Sequence, residues 1–408
     1  MTAVMEGIRI LEVAEHTFVP AASAVLADWG ADVIKIEHVE RGDAMRGLAQ
    51  TGLMDLADGK VHALLEHSNR GKRSLALDLT SAEGLDILYK LAATSDVFLT
   101  NKLPKVRAKL SVDVDDIRAH NPKIIYVGGT GFGSKGPDAD SGGYDILGYW
   151  CRSGLAMGGT SPDSARLQGM PAPAYGDSIG AMTIAGGIAA ALLHRERTGQ
   201  APTVDVSLLG TGMWAGGAAI ALSAQSGSAW RPPGSTGRSL QNPLTRSYQT
   251  KDEKWLFMSC LQGFHYWPEL CRVIKRPDLV TDERFSTAQA LRDNAPEAAS
   301  ILDEIFASAT LAGWSDRLSD FKGQWTPVLD SVEIISDEQV TANGYMIESE
   351  TKDGTRFPLV ATPVQFDGQP SPTRRAPEFN EHGDDILTGE LGLDWETVVE
   401  LKVKGIVA

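Results

Sequence analysis

The chain is poor in cysteine: Cys151, Cys260 and Cys271 are the only three in 408 residues, and no CxxC occurs. That excludes a disulfide framework and a structural zinc site. The eight histidines form no HExxH or other metal spacing, and no Walker A sequence is present, so no metal is expected. Positive charge is also in deficit. Lys and Arg number 38 against 53 Asp and Glu, for a net charge of −15. General binding to nucleic acid or to an anionic membrane surface is thereby excluded, and any anionic ligand needs a local basic patch. Long apolar runs are missing too. The two most apolar stretches, near 179–193 and 206–223, are broken by glycine and polar residues and read as buried helices rather than spans. The first residues carry no basic stretch followed by an apolar run, so a leader is not expected and a reducing cytoplasmic setting is.

What is present is alternation. Ile8 to Val13, Ala31 to Glu37, Asp96 to Thr100 and Lys123 to Val127 read as short strands. Between them lie helical patterns at Ala21 to Trp29, with Pro20 in the first turn, and after Thr80-Ser81-Ala82-Glu83, which fits a capping box. Asp113 to His120 reads as another helix. Strands separated by helices imply an α/β fold with a parallel sheet and right-handed crossovers. Such a length predicts two domains. From about residue 225 the character changes: Ser226 to Gly237 is a Gly, Pro and Ser-rich loop. A strand at Trp255 to Cys260 follows, then helices at Trp267 to Ile274, Pro296 to Ala307 and Trp314 to Phe321. Gly344 to Val364 reads as a hairpin turning at Asp353-Gly354, and the acidic segment Glu381 to Leu401 as helical.

Two motifs invite standard readings and fail them. Gly131-Phe132-Gly133-Ser134-Lys135-Gly136 matches GxGxxG after a strand. However, Pro137 stands where a packed helix should begin, and no acid follows at the dinucleotide spacing. These glycines instead predict a tight loop beside a ligand. Gly176-Asp177-Ser178-Ile179-Gly180 matches GxSxG, which would make Ser178 a nucleophile, but Pro171 and Pro173 spoil the strand that such an elbow requires. Lys102, Lys105, Arg107 and Lys109 follow the strand ending at Thr100, and Arg70, Lys72 and Arg73 form a second basic group. Ligands of open α/β sheets sit beyond the carboxyl ends of strands, so a basic loop there suits a phosphate-bearing ligand. The bland reading of each single lysine is solvated charge. His16 and His38 also follow strands, as lone histidines that either line a site or serve the fold.

Asp177 is the residue of most interest. It lies behind Gly176 and ahead of a run of small residues, Gly180, Ala181, Ala185, Gly186, Gly187 and Ala189 to Ala191. Asp is a favoured helix N-cap, and its charge suits the positive end of the helix dipole. A carboxylate is also a nucleophile when ionised. Local sequence leaves both readings open.

These segments together resemble the class III CoA-transferase family. The marks are Gly7-Ile8-Arg9-Ile10-Leu11-Glu12, Leu26 through Glu37, Asn69-Arg70-Gly71-Lys72-Arg73-Ser74, the Gly131 to Pro137 loop, Gly176-Asp177-Ser178, and Arg375-Ala376-Pro377 with Glu381-His382. The resemblance implies a Rossmann-like large domain, residues 1–222 and 332–408, that binds CoA. It adds a smaller α+β domain, 223–331, and a homodimer whose subunits interlock. It implies that Asp177 is the catalytic carboxylate, with Asp145 nearby. CoA contacts are implied at His38, Leu77, Asn101, Lys102 and Lys109, with Arg73 a further phosphate ligand and Gly131, Gly133 and Tyr144 around the thioester. The implied partners are acyl-CoA and a free carboxylic acid, with no tightly bound cofactor and no nucleic acid or membrane. Thr17 stands where the formyl-CoA enzyme has glutamine. The related α-methylacyl-CoA racemases carry a histidine where this chain has Tyr144, a poor base at neutral pH, and their second glutamate falls near Leu261. Transfer is therefore favoured over racemisation or intramolecular isomerisation. A non-catalytic acyl-CoA-binding protein is the third reading. Trp230, Phe264, Tyr266 and Trp267 point either to a bulky apolar acyl pocket or to core.

Overall fold

The computed structural model describes residues 2–48, 61–161, 164–231 and 240–408. The part of the glycine-rich loop from 232 onward lies outside the described residues. The chain divides into two compact units. One comprises Met1–Thr160, Arg166–Trp230 and Thr341–Ala408; the other comprises Ser161–Ala165 and Arg231–Val340.

The first unit is built on six strands: β1 (Arg9–Val13), β2 (Asp32–His38), β3 (Arg73–Leu77), β4 (Val97–Thr100), β5 (Ile125–Thr130) and β6 (Thr203–Ser207). All pair in parallel in the order β3-β2-β1-β4-β5-β6. That is the doubly wound order, whose direction of winding reverses between β1 and β4 and leaves a crevice beyond their carboxyl ends. Two strands were not anticipated. β3 follows a basic run, and β6 (TVDVS) is short and only half-buried, so neither presents a clear apolar pattern.

Helices cover both faces: α1 (Phe18–Asp28), α2 (Ala63–Asn69), α3 (Ala82–Ala93), α4 (Pro104–Lys109), α5 (Val114–His120), α6 (Leu155–Gly159), α7 (Tyr175–Thr198), α8 (Leu208–Ala215) and α9 (Gly217–Ser226). The period of two along each strand separates the cores. Ile10, Val33, Val97, Leu99, Ile125 and Val127 pack with α1 and α7. Leu11, Ile34, Ile36, Leu75, Phe98 and Tyr126 face α3, α5 and the C-terminal helix Trp395–Val403. Each fully buried Leu, Ile or Val contributes about 1.5–3 kcal/mol relative to exposure. The expected capping box before α3 is not formed. Ser81 caps the helix by accepting from Gly84, while Thr80 turns back to Asp78.

The apolar stretches at 179–193 and 206–223 are largely helical, as anticipated, but only partly buried. One side of α7 enters the core through Ile184, Ala185 and Ile188, whereas Tyr175, Ile179 and Leu193 are exposed. Helix α9 has no buried residue, and Trp214 of α8 is 88% exposed. The C-terminal part of this unit holds the antiparallel hairpin β10 (Met346–Glu350) and β11 (Arg356–Val360), turning at Asp353-Gly354 as anticipated. The second unit has its own antiparallel sheet of β7 (Ser247–Gln249), β8 (Trp255–Met258) and β9 (Trp325–Val328). There, four helices, Gly263–Val273, Ala288–Asp293, Ala295–Phe306 and Leu311–Leu318, enclose a core of their own containing Trp267, Phe285, Phe306 and Trp314.

Candidate active site

Asp177 is not the cap of its helix. Helix α7 starts two residues earlier than Asp177, at Tyr175, and its N-cap is Ala174 in a left-handed conformation (φ 54°), with no side-chain cap. Asp177 thus stands at the third helical position. The amides at this helix start, those of Gly176 and Asp177, face the carboxyl of Asp145 and favour its ionised form. Asp145 also accepts from the N–H of Ile146 at 2.8 Å, while its Oδ2 is buried without a full hydrogen bond. Its acidity is nevertheless weakened, first by burial. Asp177 is weakened further: burial, and then the negative charge of Asp145, push its carboxyl up to about 7. The expectation of Asp177 as a helix cap is therefore corrected. A carboxylate made costly to ionise, beside a second carboxylate, is the pattern found at reactive acids.

Small residues let the two acids meet. A Cβ on Gly176 would lie 2.4 Å from Cγ of the Tyr149 ring, and one on Gly131 would lie 2.8 Å from Cα of Gly143. Gly131 thereby brings the loop after β5 against the segment leading to Asp145. Gly133 has φ 112° and donates its N–H to Thr130 Oγ1 at 3.0 Å; it shapes this loop and is not part of the cavity wall.

The wall of the cavity includes Asp177, Tyr144, Gly131, Gly143, Asn101, Lys102, Glu15 and His16, and its volume is about 540 Å³. A second cavity of about 260 Å³ is lined by His38, Leu77, Lys102 and Lys109. The two share Glu15, Arg41, Lys102 and Val106, so they form one cleft beyond the carboxyl ends of β1 to β4. Glu15 sits in the throat between Lys102 (2.8 Å) and Arg41 (3.6 Å). Glu15 and Arg41 escaped the sequence reading, because each is a single charge after a strand without a motif around it. His38 and Lys109 are exposed and Leu77 is buried.

Asn101 lies on the wall, but its side chain is committed to the backbone of Glu15: it accepts from that N–H (3.2 Å) and donates to that C=O (2.7 Å). Arg73 is not brought to the cleft at all. It opens β3, whereas the cleft lies at the other end of that strand, and its guanidinium binds Asp32 and Glu390. A separate cavity of about 690 Å³ holds Arg73 with Arg356 and Arg375. Those cations already pair with Asp32, Glu348 and Glu381. Thr17 is 2% exposed and is not part of the cleft wall.

The serine-elbow reading fails on geometry. Ser178 lies inside the first turn of α7, with no strand leading into it, and its hydroxyl donates to Ala174 O at 2.9 Å. His67 Nε2 is 3.1 Å away, but burial and nearby Arg70 lower that imidazole to about 4, which makes it a weak base. In the second unit, Trp267 is fully buried and Tyr266 packs on Phe321, so both are core. Phe264 alone of that group lines a cavity there, of about 380 Å³, with Leu261 and His265.

The doubly wound sheet thus carries a cleft at its switch point with Arg41, Lys102 and Lys109 toward one end and Asp177 at the other. The chain matches the model of CoA-transferase family III over residues 5–383, and it belongs to that family. It is an enzyme, a class III CoA-transferase. It is 29% identical over 408 residues to the (R)-2-hydroxy-4-methylpentanoate CoA-transferase of Clostridioides difficile, covering 99% of each chain. It is 31% identical over 394 residues to the succinate–glutarate CoA-transferase of Agrobacterium fabrum, covering 94% of each. Its fold matches the crystal structure of a CAIB/BAIF family protein from Brucella suis with a TM-score of 0.83 and 26% identity, covering 95% of this chain and 100% of that one.

Proposed function

We propose that the enzyme moves CoA from an acyl-CoA to a free carboxylic acid with Asp177 as covalent nucleophile. The observation that carries this reading is the position of Asp177 at one end of a cleft whose other end holds His38, Arg41, Lys102 and Lys109, beside Glu15, Glu37 and Asp78. CoA phosphates lie toward His38, Lys102 and Lys109, and the thioester reaches Asp177. An Asp177 oxygen attacks the thioester carbonyl, the C–S bond breaks, and an anhydride and CoA thiolate form. The thiolate then attacks the aspartyl carbonyl, releasing the first acid and leaving an aspartyl-CoA thioester. The incoming carboxylate attacks that thioester and expels the thiolate. Attack of the thiolate on the new acyl carbonyl frees both acyl-CoA and Asp177. Amides of the Gly131 and Gly143 segments are suited to the oxyanions, and a closed cleft protects the anhydride from water.

Hydroxylamine added during turnover is expected to trap Asp177 as a hydroxamate, mapped by mass spectrometry. A confirmed substrate that leaves Asp177 unmodified overturns the reading. Racemisation is disfavoured because Tyr144 occupies the place of the racemase base and Leu261 offers no carboxylate. The relatives named above act on a 2-hydroxy monocarboxylate and on dicarboxylates, so the acyl group is to be found with a panel spanning both.

Lys102→Ala is expected to raise KM for acyl-CoA about 10-fold or more, the effect of losing a charge-assisted contact. Lys109, being exposed, gives a smaller and salt-sensitive change. Neither variant alters turnover of an N-acetylcysteamine thioester, which lacks the phosphates. An equal loss with both thioesters counts against the phosphate assignment.

The homodimer is part of the same proposal. Tyr175, Ile179, Met213, Trp214 and Leu222 leave α7, α8 and α9 with exposed apolar faces, of a kind that subunit contacts cover. Helix α7 is also long and apolar enough to cross a membrane, but the small residues along it suit close helix packing. Interlocked subunits cannot part without unfolding, so Trp214→Asp is expected to lower the melting temperature of the dimer rather than release monomer, and wild type is expected to sediment as a dimer. Wild-type monomer at micromolar concentration refutes this part. The three free cysteines suit the cytoplasm, where we place the enzyme.

A further inference from the structure

We propose that Asp43 is a positioning residue that acts through His16, and that a buried chain of ion pairs, Glu12–Lys35–Asp43, holds this imidazole on the wall of the Asp177 cavity. The consequence for turnover rests on the CoA-transferase reading of that cavity; the geometry does not.

His16 has φ 68°. A side chain with a Cβ resists that conformation, which is routine for glycine and tolerated by asparagine. The turn is clasped from two sides. The His16 N–H donates to Oδ1 of Asp43 at 2.9 Å, and the backbone of Glu15 is gripped at both its N–H and its C=O by Asn101. Asp43 is 1% exposed and accepts a second bond from Met45 N at 2.8 Å. Its other oxygen meets Lys35 Nζ at 2.7 Å. Lys35 is wholly buried and reaches Glu12, its direct partner across β1 and β2, at 2.7 Å. Glu12 in turn takes Lys72 at 2.7 Å and the hydroxyl of Ser23. The clasp on His16 is thus anchored in the centre of the sheet.

Stability does not explain this arrangement. Buried ion pairs are often matched or exceeded by apolar side chains of similar volume, and the turn itself would accept glycine without strain. A histidine forced into it implies that the ring is wanted where it is, since strain held by over-determined surroundings concentrates at functional sites. The ring stands edge-on to Tyr144, with centroids 5.7 Å apart and planes at 83°. Both rings line the cavity that contains Asp177. Tyr144 immediately precedes Asp145, so the contact fixes the cavity wall next to the acid pair.

A double-mutant cycle with D43A and H16N tests this. D43A alone is expected to lower kcat/KM by about 10- to 100-fold, the scale of an ångström-size misplacement. In the H16N background the same change is expected to cost less than about 3-fold, because no ring remains to be aimed and asparagine accepts the turn. An equal loss in both backgrounds overturns the proposal and leaves Asp43 as part of the fold. If D43A does not fold, D43N takes its place in the cycle. A crystal structure of the Asp43 variant supplies a readout independent of activity. His16 leaving positive φ and parting from Tyr144 supports the clasp; an unchanged turn overturns it. Failure of the wild type to transfer CoA would defeat the functional reading alone, with the structural arm still decisive.

Discussion

Asp177→Asn is expected to reduce CoA transfer by a factor on the order of 10⁵, as removal of a covalent nucleophile does elsewhere. The amide keeps the shape of the side chain and loses the attacking oxygen. A variant retaining a hundredth or more of wild-type turnover would place the nucleophile elsewhere. Stability should move the other way. Burial and Asp145 raise the folded-state pKa of Asp177 to about 7, above the roughly 3.9 of an unfolded chain. For a raised group, the favourable contribution is complete below the unfolded value and is lost as pH rises through the folded one. Ionised Asp177 therefore burdens the fold above pH 7. Asp177→Asn is expected to melt higher than wild type at pH 8, with the gap closing between about pH 7 and pH 4. Melting curves across that range check the sign. A gap that does not change with pH would show that Asp177 is no more costly to ionise than a surface aspartate.

That opposition explains why Asp177 was only partly legible. Its neighbours Gly176 and Gly180 mark a crowded helix start, and the sequence shows that much. The helix-start amides expected to serve it face Asp145 instead, 32 positions earlier, and Ala174 takes a left-handed turn that starts α7 early. No local pattern announces a left-handed alanine. The central strands were legible because Val33, Ile34 and Ile36 in β2, and Phe98 and Leu99 in β4, are apolar on both faces. β3 was hidden by Arg73, whose charge is met by Asp32 on the neighbouring strand, a pairing visible only once register is known. The same holds for Glu12 and Lys35, which look like solvated charges in sequence and are fully buried partners in the sheet. The basic run 102–109 did mark the cleft, since the loop after a parallel strand has one place to go. Its chemistry was shared out less predictably: Lys102 sits in the throat, while Arg107 pairs with Asp113.

The second large effect concerns the pair of acids. Wild-type kcat/KM for acyl-CoA is expected to rise with pH and level off above an apparent value of about 7, because only ionised Asp177 attacks and this parameter reports the free enzyme. Asp145→Asn removes the like charge and leaves the burial. The acid limb is then expected to shift to lower pH, on the order of one unit, since a neighbouring negative charge is one of the two causes of the raised value. Relative to wild type at the same pH, the activity of the variant would therefore fall less at pH 6 than at pH 8. At pH 8 both proteins are ionised at Asp177, and the variant attacks with a weaker base from a helix start that has lost its anionic partner, so its plateau should lie below wild type. A limb left in place while the plateau drops would show that Asp145 orients the start of α7 without tuning Asp177. A limb moving upward would contradict the electrostatics outright, because no loss of negative charge can make a carboxyl harder to ionise. The crossing of the two profiles, with the variant gaining at acid pH and losing at alkaline pH, separates charge from mere proximity. It would also tie the two carboxylates to one chemical event, with the charge of Asp145 making Asp177 more basic and keeping more of it protonated at acid pH.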